Sequence, residues 1–271
     1  MTKDKKKISR DEMTFLEHLE EMRWHLIRAF SAIVVFAVIA FIYKDLLFDA
    51  ILLAPKNPGF ITNQLLCRLA AKFHTPSLCI NQTPLQLINI TMSGQFTTHI
   101  IISLVAGLIL AFPFVLYQAW SFIRPALYDK ERNAASGAVL ISSFLFLSGV
   151  LFGYFIIIPM SVNFLSNYKV STEVSNQIAL NSYISNVAST VLASGVVFEL
   201  PVILFFLTKI GLVTPSFLRK YRRHAIIIIL VLAAIITPPD IFSQILVSIP
   251  LLFLYEVSIF VSAVVHRKHN V

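Results

Sequence analysis

Long apolar runs separated by short charged segments set the pattern of this 271-residue chain. Six runs are predicted to span a membrane as helices: residues 26–43, 98–122, 135–159, 186–209, 225–236 and 241–265. Hydrocarbon offers no water to a backbone amide, and a helix satisfies those amides within one segment. The period-two alternation of a membrane barrel is absent. The expected fold is an all-α membrane protein with six transmembrane helices, including kinked and short spans. Residues 1–271 read as a single polytopic membrane domain, with 1–25 a cytoplasmic amphipathic segment and 44–97 a long periplasmic loop.

Several runs carry irregularities. The fifth has twelve residues, about 18 Å of helix against a hydrocarbon core of about 30 Å. Pro238 and Pro239 end it, since proline lacks the amide donor a continuing helix needs, and Asp240 is expected to cap the sixth helix. Either polar neighbours complete this span, or a short hairpin thins the bilayer around it. Pro113, Pro201 and Pro250 are expected kink points. Pro201 also frees the carbonyl of Val197, beside Glu199. In the outer loop, residues 65–73 have the pattern of an amphipathic helix at the membrane surface. Cys67 lies within it and Cys79 beyond it, on the side where disulfides persist; the sequence leaves their pairing open.

Composition agrees with the pattern: 57% of residues are hydrophobic and 13% charged, about half the charged fraction of a soluble domain. A net charge of +8 suggests nucleic acid at first sight, but the basic residues sit in segments flanking the apolar runs. They act as orientation signals, and no nucleic acid is expected. With the first terminus inside, 17 of the 22 Lys and Arg fall on the cytoplasmic side, so both termini are expected there. The start of the chain has neither a cleavable signal pattern nor a transit-peptide composition.

Glu199 interrupts the run Val196-Val-Phe-Glu-Leu-Pro-Val-Ile-Leu-Phe-Phe-Leu207. A carboxylate at membrane depth costs roughly 2.5–3.5 kcal/mol on insertion scales. It therefore faces a partner, a cavity, water or another span rather than lipid. At the other extreme of polarity, residues 14–26 read as an amphipathic helix with capping-box spacing at Thr14 and Glu17. Phe15, Leu19, Met22 and Leu26 form its apolar stripe, with Glu17, Glu20, Glu21 and Arg23 on the exposed side. The first inner loop adds Asp129 and Glu131 to the same surface. Clustered carboxylates are natural receptors for guanidinium groups. The seven histidines read as structural or surface residues, and Glu256 as structural. No catalytic, metal-binding or phosphate-binding motif is present, so no enzyme activity and no cofactor are expected. From the residues alone the competing reading is a secondary transporter with Glu199 as its proton or substrate site. The chain offers neither an evident inverted repeat nor matched broken helices to support it.

Five separated motifs carry a resemblance. His18-Leu-Glu-Glu-Met-Arg23, Phe122-Ile-Arg-Pro-Ala-Leu-Tyr128 with Glu131-Arg132, Phe152-Gly-Tyr-Phe155 before Pro159, Phe198-Glu-Leu-Pro201 and Thr237-Pro-Pro-Asp-Ile-Phe-Ser-Gln244 look like TatC. That family is the multispanning receptor subunit of the twin-arginine protein translocase. Met22, Asn133 and a longer first outer loop depart from its usual pattern. The resemblance implies a protein of the bacterial inner membrane that binds twin-arginine signal peptides of folded cargo. Glu21 and Glu131 would each face an arginine, with Glu20, Arg23 and Phe122 shaping the site. It also implies TatA- or TatB-like single-span partners in an oligomeric complex within the lipid, driven by the proton motive force. Glu199, with Gln244 as a second intramembrane polar candidate, would meet those partner helices.

Overall fold

The protein was analysed as a computed structural model, which describes residues 15–75, 79–82, 85–123, 134–174, 176–237 and 241–269. Helix α1 (Phe15–Ile42) runs unbroken from the amphipathic segment through the first span. Its apolar stripe faces outward: Leu19 is 38%, Met22 41% and Leu26 68% exposed. Glu21 and His25 are half-buried instead, while Glu20 and Arg23 are exposed. The expectation of an exposed side for Glu21 is thereby corrected. Around a membrane helix the surroundings are apolar, so apolar side chains gain little by turning inward while polar ones gain partners there.

The outer loop is built rather than loose. Wide π-type turns at Leu46–Leu52 and a 3-10 turn at Ala54–Lys56 lead to α2 (Ile61–Phe73), which begins before the expected amphipathic stretch. A short strand β1 (Leu87–Ile88) precedes α3 (Gly94–Ile123), which continues through Pro113 as one helix. The third span joins α4 (Ala134–Phe152), π-type turns at Gly153–Ile157 and α5 (Ile158–Asn167), passing the proline expected to end it. Strand β2 (Ile178–Ala179) pairs in parallel with β1, Leu87 opposite Ile178. The fourth span comprises α6 (Leu180–Phe198) and α7 (Leu200–Lys209), broken at Glu199.

After the fourth span, α8 (Pro215–Lys220) starts where the Thr214 hydroxyl accepts the amide of Phe217 at 3.2 Å. Helices α9 (Arg222–Ile236) and α10 (Ile241–His269) complete the bundle. Among the described residues, five stretches are long and apolar enough to cross a membrane. The sixth span is α9, whose 15 residues reach about 22 Å, so the expected short span is found. Asp240, the expected cap of the last helix, lies outside the described residues.

Small residues let the helices approach closely. A Cβ on Gly107 of α3 would stand 2.6 Å from the Ala37 nitrogen of α1. On α4, a Cβ on Gly149 would meet the Ser194 carbonyl of α6 at 2.6 Å. Where lipid removes the hydrophobic drive between helices, this backbone proximity supplies dispersion contact instead. Two buried clusters result, one around Ile102, Ile158 and Ile184 towards the outer loop, the other around Ile229, Val247 and Leu251. Arg222 and Glu256 form an ion pair at 2.7 Å between α9 and α10, in keeping with a structural role for Glu256.

The outer cap is held by polar bonds and one covalent link. Cys67 and Cys79 form a disulfide, resolving the pairing that the sequence left open. It tethers the segment carrying Asn81, whose side-chain amide donates to Asn63 Oδ1 at 3.3 Å and to the Pro159 carbonyl at 3.0 Å. Asn63 in turn donates to the carbonyls of Pro55 and Asn57 at 3.1 and 2.8 Å. The Tyr183 hydroxyl donates to the Leu52 carbonyl at 2.9 Å, joining this cap to α6.

Candidate functional site

The start of α1 and the end of α3 form the first polar feature. These helices run antiparallel, with Ala37 level with Gly107 and His25 level with Gln118. His25 Nδ1 lies 2.7 Å from Gln118 Oε1, and Gln118 is buried. An amide oxygen only accepts, so the imidazole carries its proton on Nδ1 in this bond. The same ring meets Phe122 edge-on at 6.3 Å between centroids. Residues four apart share a helix face. Glu21 lies one turn before His25 on α1, and Phe122 one turn after Gln118 on α3. The antiparallel register therefore brings Glu21 and Phe122 to the same height.

Of the residues expected in a guanidinium-binding surface, this arrangement unites Glu21 and Phe122. Glu20 and Arg23 lie on exposed parts of the same turns. Glu131 and Asp129 fall outside the described residues. Sequence reasoning passed over His25 and Gln118, having read the histidines as structural or surface groups. The available signal was the matched spacing of four between Glu21 and His25 and between Gln118 and Phe122.

Glu199 forms the second feature. Pro201 has no amide hydrogen, so the helical ladder cannot pass through this point. The Glu199 amide bonds back to the Val196 carbonyl at 3.1 Å, a tight three-residue turn. Its carbonyl then accepts from Val202 and Ile203, each at 3.0 Å, as the next helix begins. Glu199 is 8% exposed. Ser142 Oγ of α4 donates to Glu199 Oε2, while Oε1 has no hydrogen-bond partner among the described residues. Gln244 sits apart from this arrangement in its bonding, donating from Nε2 to the Leu230 carbonyl of α9 at 3.2 Å.

Together these features belong to a multi-pass helical membrane protein with polar groups set into its helix seams. The family model described as Sec-independent protein translocase protein (TatC) matches residues 17–250. A Sec-independent protein translocase protein TatC of Blattabacterium sp. subsp. Periplaneta americana is 41% identical over 97% of this chain and 99% of its own length. TatCy of Bacillus subtilis is 33% identical, over 95% of this chain and 92% of its own length. The crystal structure of the twin arginine translocase receptor TatC in DDM superposes with a TM-score of 0.69 at 35% identity. That match covers 91% of this chain and 99% of the other. The chain belongs to the TatC family. It is a membrane component of Sec-independent protein translocation and not an enzyme.

Proposed function

We propose that this protein is the core receptor of a twin-arginine translocase, binding paired-arginine signal peptides of folded proteins at its cytoplasmic face. The observation that carries this reading is the seating of Glu21 level with Phe122, at the inner end of the α1–α3 seam. Glu131 follows α3 in the sequence, outside the described residues, and Glu20 and Arg23 border Glu21 on α1. Two carboxylates suit two guanidinium groups, whose planar forks bind bidentately where an ammonium is only a point charge. Neutralising both sites in the Glu21→Gln/Glu131→Gln double variant is expected to abolish twin-arginine peptide binding. Unchanged affinity in that variant would overturn the assignment.

The same reading gives Glu199 a role in recruiting single-span TatA- or TatB-like subunits. Its unpartnered Oε1 supports this, because a polar group on an incoming helix would complete its bonding. Gln244 is a second point of contact, nearer the start of α10. A photocrosslinker at position 199 is expected to capture a partner helix in membranes; adducts confined to this chain would count against recruitment there. The protein works in an oligomeric complex of the bacterial inner membrane with both termini cytoplasmic, drawing on the proton motive force. The excess of basic residues in the inner segments supports that orientation. So does the Cys67–Cys79 disulfide, which suits an oxidising outer compartment.

A further inference from the structure

We infer that the His25–Gln118 hydrogen bond sets the specificity of the peptide site, acting as a register lock between α1 and α3; this rests on the reading of Glu21 proposed above. The rest of the seam between the two helices is apolar and built on small residues such as Ala37, Ala40, Gly107 and Ala111. Gly107 packs on the Ala37 backbone, a contact without interlocking side chains, so the packing here is close but carries no directional bond. Much of the rest of α1 faces away from the protein, with Phe30, Val34, Val35 and Val38 exposed. Near the outer end, Phe41 stacks on His99 at 3.9 Å between ring centroids. Stacked rings tolerate small offsets, whereas a hydrogen bond of 2.7 Å is directional and short-ranged.

The lock stands one helical turn from the residues it would position. Displacing α1 along α3 would carry Glu21 away from Phe122 by the same amount. A guanidinium fork needs its carboxylate at a fixed distance and in a fixed plane. An ammonium accepts a wider range of positions. Loss of the lock should therefore weaken a twin-arginine peptide much more than a twin-lysine peptide. His25 and Gln118 are positioning residues in this account: neither needs to touch the peptide.

The test compares the ratio of twin-arginine to twin-lysine peptide affinities on the detergent-solubilised full chain. His25→Ala is expected to lower that ratio on the order of tenfold, with twin-lysine affinity nearly unchanged. His25→Asn keeps a nitrogen donor the same number of bonds from Cα and should retain the ratio. Should His25→Ala fail to fold, Gln118→Ala and the reversed pair His25→Gln/Gln118→His carry the same comparison, with the reversed pair restoring the ratio. An unchanged ratio in the alanine variants would overturn the inference while leaving the receptor reading intact. So would equal weakening for both peptides, the mark of a merely structural bond, or an asparagine variant that behaves like alanine. A wild-type chain that does not distinguish the two peptides would instead overturn the receptor reading itself.

Discussion

At the residue scale, Glu199 illustrates how a membrane protein keeps an expensive group. Its carboxyl is half-satisfied: Ser142 donates to one oxygen, and the other is buried without a partner among the described residues. Hydrogen bonds between membrane helices contribute about 0.6 kcal/mol on average and up to roughly 1.7 kcal/mol. Ser142→Ala is therefore expected to lower stability by about 1 kcal/mol, read as a shift in thermal unfolding of the detergent-solubilised protein. Glu199→Gln keeps an acceptor for Ser142 and should unfold near the wild-type temperature. If partner recruitment needs the carboxyl rather than the bond to Ser142, that variant will fold normally and fail to co-purify with single-span partner subunits. The sequence made Glu199 conspicuous because a single acid in a long apolar run has no ordinary explanation. It could not reveal Ser142 as the donor, since 57 residues separate them and many serines lie in other spans.

At the scale of elements, apolar runs located the spans well, because the cost of an unsatisfied amide in lipid leaves few alternatives to a helix. The details that escaped have physical causes. The third span was expected to cover residues 135–159, yet the chain enters π-type turns just before Pro159 and continues as α5 to Asn167. The parallel pairing of β1 and β2 involves two residues on each side, too few to produce a pattern. The rotation of α1 was misjudged at Glu21 because the stripe was read as it would be in water. Close packing along the seams makes its own prediction. Replacing Gly107 by leucine forces α1 and α3 apart, and overpacking of this kind costs typically 1–3 kcal/mol. A leucine that left thermal unfolding unchanged would show that this approach is not tight. The cap offers a second test: Cys67 and Cys79 enclose a short loop, for which chain-entropy arguments give about 3 kcal/mol. Cys67→Ser/Cys79→Ser should lower the unfolding temperature, and the reductant dithiothreitol should lower it for wild type but not for this variant.

At the scale of the whole molecule, the two candidate sites lie in different parts of the bundle, and the proposed reading gives them separate tasks. The α1–α3 seam presents Glu21 at one end, while the break in the fourth span holds Glu199 among the helices. A receptor whose recognition and recruitment points are separate can hold its cargo signal while other subunits assemble. Its orientation is testable on its own. In Cys67→Ser, the remaining Cys79 thiol should react with a membrane-impermeant maleimide from the periplasmic side of spheroplasts; labelling only after lysis would reverse the proposed topology. Of the proposed peptide site, the sequence singled out Glu21 through the acidic motif around it, because clustered carboxylates suit pairing with cations. The lock formed by His25 and Gln118 was not legible there, because it depends on the register of two helices 93 residues apart. The central claim is tested most directly by titrating the purified full chain with a synthetic signal peptide bearing two arginines and with the same peptide bearing two lysines. The account predicts saturable binding of the first and much weaker binding when both arginines become lysine; equal affinity for the two would contradict it.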